Sequence, residues 1–194
     1  SSNADRSSWT RDTGLPTLGG AQAITVEDET FVCALVGGRV ACTSRDGQAK
    51  RWWKIPRLSK LGSLVRSGDL YCGLGSNGRA RCWSAWVNKD GFDSFIHGNL
   101  DVRDVVELAG GDYGVCARTR VGKVACYFTE FNFFAYYYGS KERAIPVEDI
   151  IDWDAVEIDA GKDHFCARVQ EGDGGVSRSI YCWGDDARGQ LGEP

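Results

Sequence analysis

The chain has 194 residues, 42% hydrophobic and 26% charged, long enough to bury a core as one domain or as two small ones. A net charge of −4 with both signs interspersed leaves no basic stripe to follow a phosphate backbone, which argues against nucleic acid as a partner. Twenty-five glycines beside four prolines point to an all-β chain rich in tight turns, and no apolar run reaches the roughly 18 residues of a membrane helix.

Residues 1–13 are expected to form an N-terminal tail. The opening Ser1-Ser2-Asn3-Ala4, in a chain without methionine, reads as a processed or recombinant start. Residues 14–194 read as one domain of four repeated units, around 14–50, 51–90, 91–140 and 141–194. Each unit is built on a hairpin with one cysteine in either strand.

In the first unit, eight residues separate Cys33 from Cys42, with Gly37-Gly38 at the centre. A two-residue turn there sets Val36 opposite Arg39 and, three steps on, Cys33 opposite Cys42. The connection that follows holds Lys50-Arg51-Trp52-Trp53-Lys54. Adjacent residues of a strand point to opposite faces, so Trp52 and Trp53 cannot both be core, and at least one is expected near the surface.

The second hairpin joins Cys72 to Cys82 and the third Cys116 to Cys126, each with one residue more than the first. Ser76-Asn77-Gly78 and Arg120-Val121-Gly122 place glycine where a three-residue loop needs a left-handed last position. In all three hairpins the cysteines then fall at non-hydrogen-bonded pairs, where Cα atoms approach to about 4.5 Å, within disulfide range. After the second hairpin come Trp83 and Trp86 with Phe92, Phe95 and His97, read as a loop. After the third comes the most unusual stretch of the chain, 127–139, with Phe133, Phe134, Tyr136, Tyr137 and Tyr138.

The fourth hairpin joins Cys166 to Cys182 through a longer tip, Glu171-Gly172-Asp173-Gly174-Gly175. Four intra-hairpin disulfides imply an oxidising compartment, hence a secreted or otherwise extracytoplasmic protein, and each bridge contributes about 2–3 kcal/mol. No Cys-x-x-Cys spacing favours zinc, the carboxylate-rich turns lack the spacing of a calcium loop, and no cofactor motif occurs. No nucleophile and base can be assembled from the sequence, so the chain is not read as an enzyme and has no catalytic candidates.

The first cysteines recur at intervals of 39, 44 and 50 residues, a period that suits propeller blades. An apolar strand precedes the hairpin, 104–111 in the third unit and 154–161 in the fourth. The fourth unit then runs Ala160-Gly161, His164-Phe165-Cys166-Ala167, Cys182-Trp183-Gly184 and Gly189-Gln190-Leu191-Gly192. These segments resemble the regulator of chromosome condensation repeat, strongly in the fourth unit, moderately in the third and weakly in the first two. The resemblance implies an all-β, propeller-like array of blades, structural roles for Trp83, Trp183 and His164, and binding rather than catalysis. Families similar in this repeat include an exchange factor for a nuclear small GTPase, a β-lactamase inhibitor, a plant ultraviolet-B receptor and receptor ectodomains. Seven blades are usual there and four are present here. A closed four-bladed ring, a half-ring completed by a second copy as a homodimer, and a fragment of a longer chain all fit.

The expected function is recognition of a protein partner by the aromatic connections, with Trp52, Trp53, Trp86, Phe133, Phe134, Tyr136, Tyr137 and Tyr138 as ligand-binding residues. A glycan-binding lectin is the alternative. A structural role with the aromatic stretch as an oligomer seam is the third reading.

Overall fold

The computed structural model describes residues 19–27, 31–44, 52–88, 91–128, 143–152, 154–171 and 177–192. Among them every regular element is a β-strand, sixteen in all, arranged in four sheets. The first sheet is β1 (Ala21–Glu27), β2 (Phe31–Val36), β3 (Arg39–Ser44) and β4 (Trp53–Lys54), in that spatial order. The second is β5 (Leu61–Ser67), β6 (Leu70–Gly75), β7 (Ala80–Asn88) and β8 (Gly91–Leu100), with β12 (Arg143–Ile145) lying parallel to β8. The third is β9 (Val105–Gly111), β10 (Gly114–Thr119) and β11 (Val124–Phe128), completed by β13 (Glu148–Ile151). The fourth is β14 (Ala155–Ala160), β15 (His164–Glu171) and β16 (Ser177–Gly184). Each sheet is a blade whose first strand lies innermost.

The registers follow from the turns. Gly37 and Gly38 adopt φ of 55° and 73°, which only glycine takes without strain, and Val36 faces Arg39. Gly78 (φ 70°) and Gly122 (φ 80°) end the three-residue loops. Cys33 therefore faces Cys42, Cys72 faces Cys82, Cys116 faces Cys126 and Cys166 faces Cys182. All four pairs are disulfides, with Cα separations of 4.0 to 4.1 Å, and no described cysteine is free.

The inner strands share one irregularity, a register shift at their start, which makes them superimposable residue by residue. Ala21, Leu61, Val105 and Ala155 occupy one position, and Ile24, Leu64, Leu108 and Ile158 another. Neighbouring blades are stitched by backbone bonds that repeat at every seam. Leu61, Val105 and Ala155 donate their N–H to the tip carbonyls of Gly38, Gly78 and Gly122, at 3.1, 3.0 and 3.0 Å. The residue just before each donor, Lys60, Asp104 or Asp154, takes the left-handed conformation, and its carbonyl accepts from Ser76, Arg120 or Gln170.

The core consists of three apolar clusters, one between each pair of successive blades. Cys33, Leu35, Val40 and Cys42 meet Leu61, Leu64, Tyr71 and Trp83. Cys72, Ala80 and Cys82 meet Val105, Leu108, Val115 and Tyr127. Cys116, Val124 and Cys126 meet Ala155, Ile158, Phe165 and Val169. Each of the first three blades thus turns its disulfide toward the following blade, and each of the last three turns its cross-strand aromatic or aliphatic pair toward the preceding one. Trp83 stacks on Tyr71 and Trp183 on Phe165, with centroids 6.1 and 6.0 Å apart, so both tryptophans are structural. Among the described residues the fourth blade and the first share no such cluster.

Candidate functional site

Because each blade is a meander, its turns divide between two ends of the array. One end carries the glycine tips that stitch the blades. The opposite end receives the short turns after the inner strands and the connections that leave β3, β7 and β11. In the sequence the connections after β3 and β11 hold aromatic residues, whereas only residues 89–90 link β7 to β8, and Trp86, Phe92 and Phe95 lie in those strands. The ends of β3, β7 and β11 therefore share one end of a scaffold fixed by four disulfides. Tyr113 and Phe128 are exposed at this end, and the Phe128 ring sits edge-on to Phe165 at 6.2 Å.

The expected binding residues fare differently. Trp52 and Trp53 are both half-buried and both engaged in contacts within the fold; Trp53 begins β4 opposite Cys42. The backbone of Trp86 lies in β7 opposite Asp93, near the end where the hairpin turns, and its side chain falls outside the description. Phe133, Phe134, Tyr136, Tyr137 and Tyr138 lie outside the described residues. What is fixed is where that segment leaves and returns: after Phe128 at the end of β11, and at Arg143 beside Gly98.

Two features missed in the sequence belong to the second blade. Residues 91–100 are not a loop but β8, paired with β7 from Asn88↔Gly91 to Arg81↔Asn99. The Asp90-Gly91 step between two aromatic-rich runs was the available hairpin signal. Across this hairpin Ser84 Oγ and His97 Nε2 stand 2.8 Å apart, with Phe95 edge-on to the imidazole at 4.9 Å. His97 is only 3% exposed, and burial pushes its pKa down to about 4. A serine beside a neutral imidazole is the start of a nucleophile, yet neither residue lines either cavity described below, so the pair works as a buried hydrogen bond.

One of these cavities, of about 370 Å³, lies on the axis, framed by all four inner strands and by Arg66, Asp112 and Asp159. The other, of about 430 Å³, lies at the tip end between the second and third blades. There Lys123 pairs with Asp149 at 2.6 Å, and that hydrogen bond is the main reason its pKa is raised. Among the described residues no group of three His, Cys, Asp or Glu side chains could hold a metal ion. No helix among them is long and apolar enough to cross a membrane. Asp185 and Asp186 are turn anchors: Asp185 accepts from Gln190 Nε2 at 2.8 Å and Asp186 from the Leu191 N–H at 2.9 Å. His164 opens β15, its ring against Gly161, where any side chain would collide with it.

Residues 155–190 match the family model of the regulator of chromosome condensation (RCC1) repeat. The fourth blade is an RCC1 repeat. The disulfide places it in a cysteine-bridged form of that repeat, and the other three blades carry the same hairpin, bridge and seam. A search of the curated proteins by sequence finds no match. Among solved structures, that of Kap60 bound to yeast RCC1 (Prp20) matches with a TM-score of 0.62 and 16% identity, over 89% of this chain and 45% of that one. Prp20p from Saccharomyces cerevisiae, described with its binding properties to Gsp1p and histones, gives 0.60 and 15% over 89% and 46%. Human WBSCR16 gives 0.59 and 17% over 91% and 50%. The fold is therefore that of RCC1-type β-propellers, and the chain spans about half the length of these structures.

Proposed function

We propose that the chain is a non-enzymatic, extracytoplasmic recognition module that binds a protein partner through the end of the array where the aromatic connections emerge. One observation supports this reading: β3, β7 and β11, after which the chain leaves toward its aromatic segments, all end on the same side of a disulfide-fixed scaffold. Tyrosine and tryptophan offer large, rigid contact area at low entropic cost, which suits recognition. Four bridges support an oxidising compartment. The RCC1-type neighbours include a protein described with protein ligands, Gsp1p and histones. A single continuous protein surface tolerates connections that differ from blade to blade, whereas a lectin with repeated sugar sites needs them alike.

The test compares three immobilised forms: wild type, Tyr136→Ala/Tyr137→Ala/Tyr138→Ala, and Val121→Ala at an exposed hairpin tip on the opposite end. Proteins from secreted or surface material retained by wild type are purified and titrated directly, and a glycan array is run on the same samples. The proposal expects a protein ligand bound by wild type and Val121→Ala and weakened at least about tenfold in the triple variant. A ligand that is a sugar, or binding lost with Val121→Ala and kept in the triple variant, overturns it.

A further inference from the structure

We propose that the seam between the first and second blades carries, at the tip end, a docking surface for an acidic polysaccharide, with Arg57, Lys60, Arg79 and Arg81 meeting its carboxylate or sulfate groups. This surface lies at the opposite end from the aromatic connections. The inference takes from the recognition reading only the extracytoplasmic setting, where long polyanions are polysaccharides.

The two signs of charge alternate over the chain as a whole and separate in its second unit. Between residues 47 and 88 stand Lys50, Arg51, Lys54, Arg57, Lys60, Arg66, Arg79 and Arg81, and the only carboxylate is Asp69. Asp69 lies in the turn between β5 and β6, at the other end of the array. Residues 54–62 and 73–82, which build the tip end of this seam, therefore hold no acidic side chain.

The fold gathers the cations. The connection from β4 to β5 is tied down at both ends, the Ile55 N–H donating to the Val40 carbonyl and the Leu61 N–H to that of Gly38, each at 3.1 Å. Ile55 and Leu58 fill the core beneath it, which leaves Arg57 and Lys60 on the surface. The Lys60 carbonyl accepts from the Ser76 N–H at 3.1 Å, so the tip that carries Arg79 is fixed against it. In β7, Ala80 and Cys82 face the third blade, so the alternation turns Arg81, with Trp83, toward the first. Burial pulls the Arg81 pKa down, and the charge of Arg57 close by pulls it further. An anion at this seam is attracted by both.

The other seams are different. Among the described residues four that are not glycine have positive φ. Three of them, Lys60, Asp104 and Asp154, share one seam position, lysine here and aspartate in the next two. The fourth is Arg57, at φ 66°, which has no counterpart in the other seams.

Two observations choose the occupant. No large apolar side chain is exposed among residues 54–62 and 73–82, so the surface lacks the apolar centre on which a folded protein docks. None of the four cations lines either cavity, so a small anion finds no enclosure, and a chain of repeated charges fits better. Guanidinium forks grip carboxylate and sulfate groups in bidentate fashion.

Titration of the 194-residue chain with heparin, polygalacturonate, neutral dextran, duplex DNA and poly-glutamate, at low and at raised salt, reads the outcome. The expected result is binding of heparin or polygalacturonate that salt weakens, and none of dextran. Arg57→Glu/Lys60→Glu is expected to lose at least about tenfold in affinity. Arg103→Glu/Arg120→Glu, an equal change of charge at exposed positions of the next seam, is expected to lose less than about twofold. Near-ultraviolet circular dichroism checks that the variants keep the fold. Should the first pair not fold, Arg57→Gln and Lys60→Gln taken singly are each expected to lose about threefold. Equal losses from the two pairs, single variants that bind like wild type, or a wild type that binds neither polysaccharide overturns the proposal. DNA or poly-glutamate bound more tightly than both polysaccharides overturns it as well, since the occupant would then be another polymer.

Discussion

A methyl group at Gly122 tests the seams. A Cβ there would lie 2.7 Å from the Asp154 Cα and 2.8 Å from the Ala155 nitrogen, distances that backbone atoms do not tolerate. At φ 80°, alanine also costs roughly 1–2 kcal/mol of backbone strain. Relief requires the start of β14 to move away, which breaks the 3.0 Å bond from the Ala155 N–H to the Gly122 carbonyl and strands two buried groups at about 1–3 kcal/mol. Gly122→Ala is therefore expected to destabilise the chain by about 3–4 kcal/mol. Gly37→Ala is the control: φ is 55° but no atom lies within 4 Å of the new Cβ, so only the strain is incurred, about 1 kcal/mol. Gly78→Ala, with its nearest backbone atom at 3.1 Å, falls between them. Denaturant unfolding of the oxidised protein, followed by tryptophan fluorescence, measures the series. Equal effects at Gly37 and Gly122 would refute the claim that tip glycines bear on the next blade.

Cys166–Cys182 is expected to be the first bridge reduced in the unassociated chain, because the other three are covered by a following blade. Graded reduction with alkylation and peptide mass analysis checks the order. Lowering the pH should cost stability through His97. Its folded pKa of about 4 lies below the ordinary 6.5, so the unfolded chain takes up the proton first. That contribution is intact above pH 6.5 and is lost progressively down to about pH 4, by at most about 3 kcal/mol. His97→Asn, compared with wild type across this window, should flatten the slope; parallel slopes would remove His97 as the cause.

Much of the fold was legible in the residues. Gly37-Gly38, Gly78 and Gly122 set the hairpin registers, and once the registers are fixed the cysteines can pair only within their own units. Trp83 and Trp183 were readable as structural because each follows the second cysteine; each stacks on the residue before the first cysteine, Trp83 buried and Trp183 partly buried. What escaped was non-local. β12 pairs with β8 some 45 residues away, and no turn dictates that contact. Lys60, Asp104 and Asp154 adopt the left-handed conformation without glycine, because each is held between a bond within its own blade to its carbonyl and a seam bond from the next residue's N–H. The β7–β8 hairpin was hidden by Gly98 and Asn99, residue types that strands disfavour although both pair with β7, and the Ser84–His97 contact was hidden with it. The ligand surface was the least legible part, since a recognition surface is defined by its partner and no residue spacing encodes it.

Peptide mapping of the non-reduced protein by mass spectrometry bears most directly on the whole account. Four linked peptides are predicted, joining Cys33 to Cys42, Cys72 to Cys82, Cys116 to Cys126 and Cys166 to Cys182, with no free thiol. Any bridge between different hairpins, or a free thiol in protein made under oxidising conditions, would contradict an array of individually pinned blades.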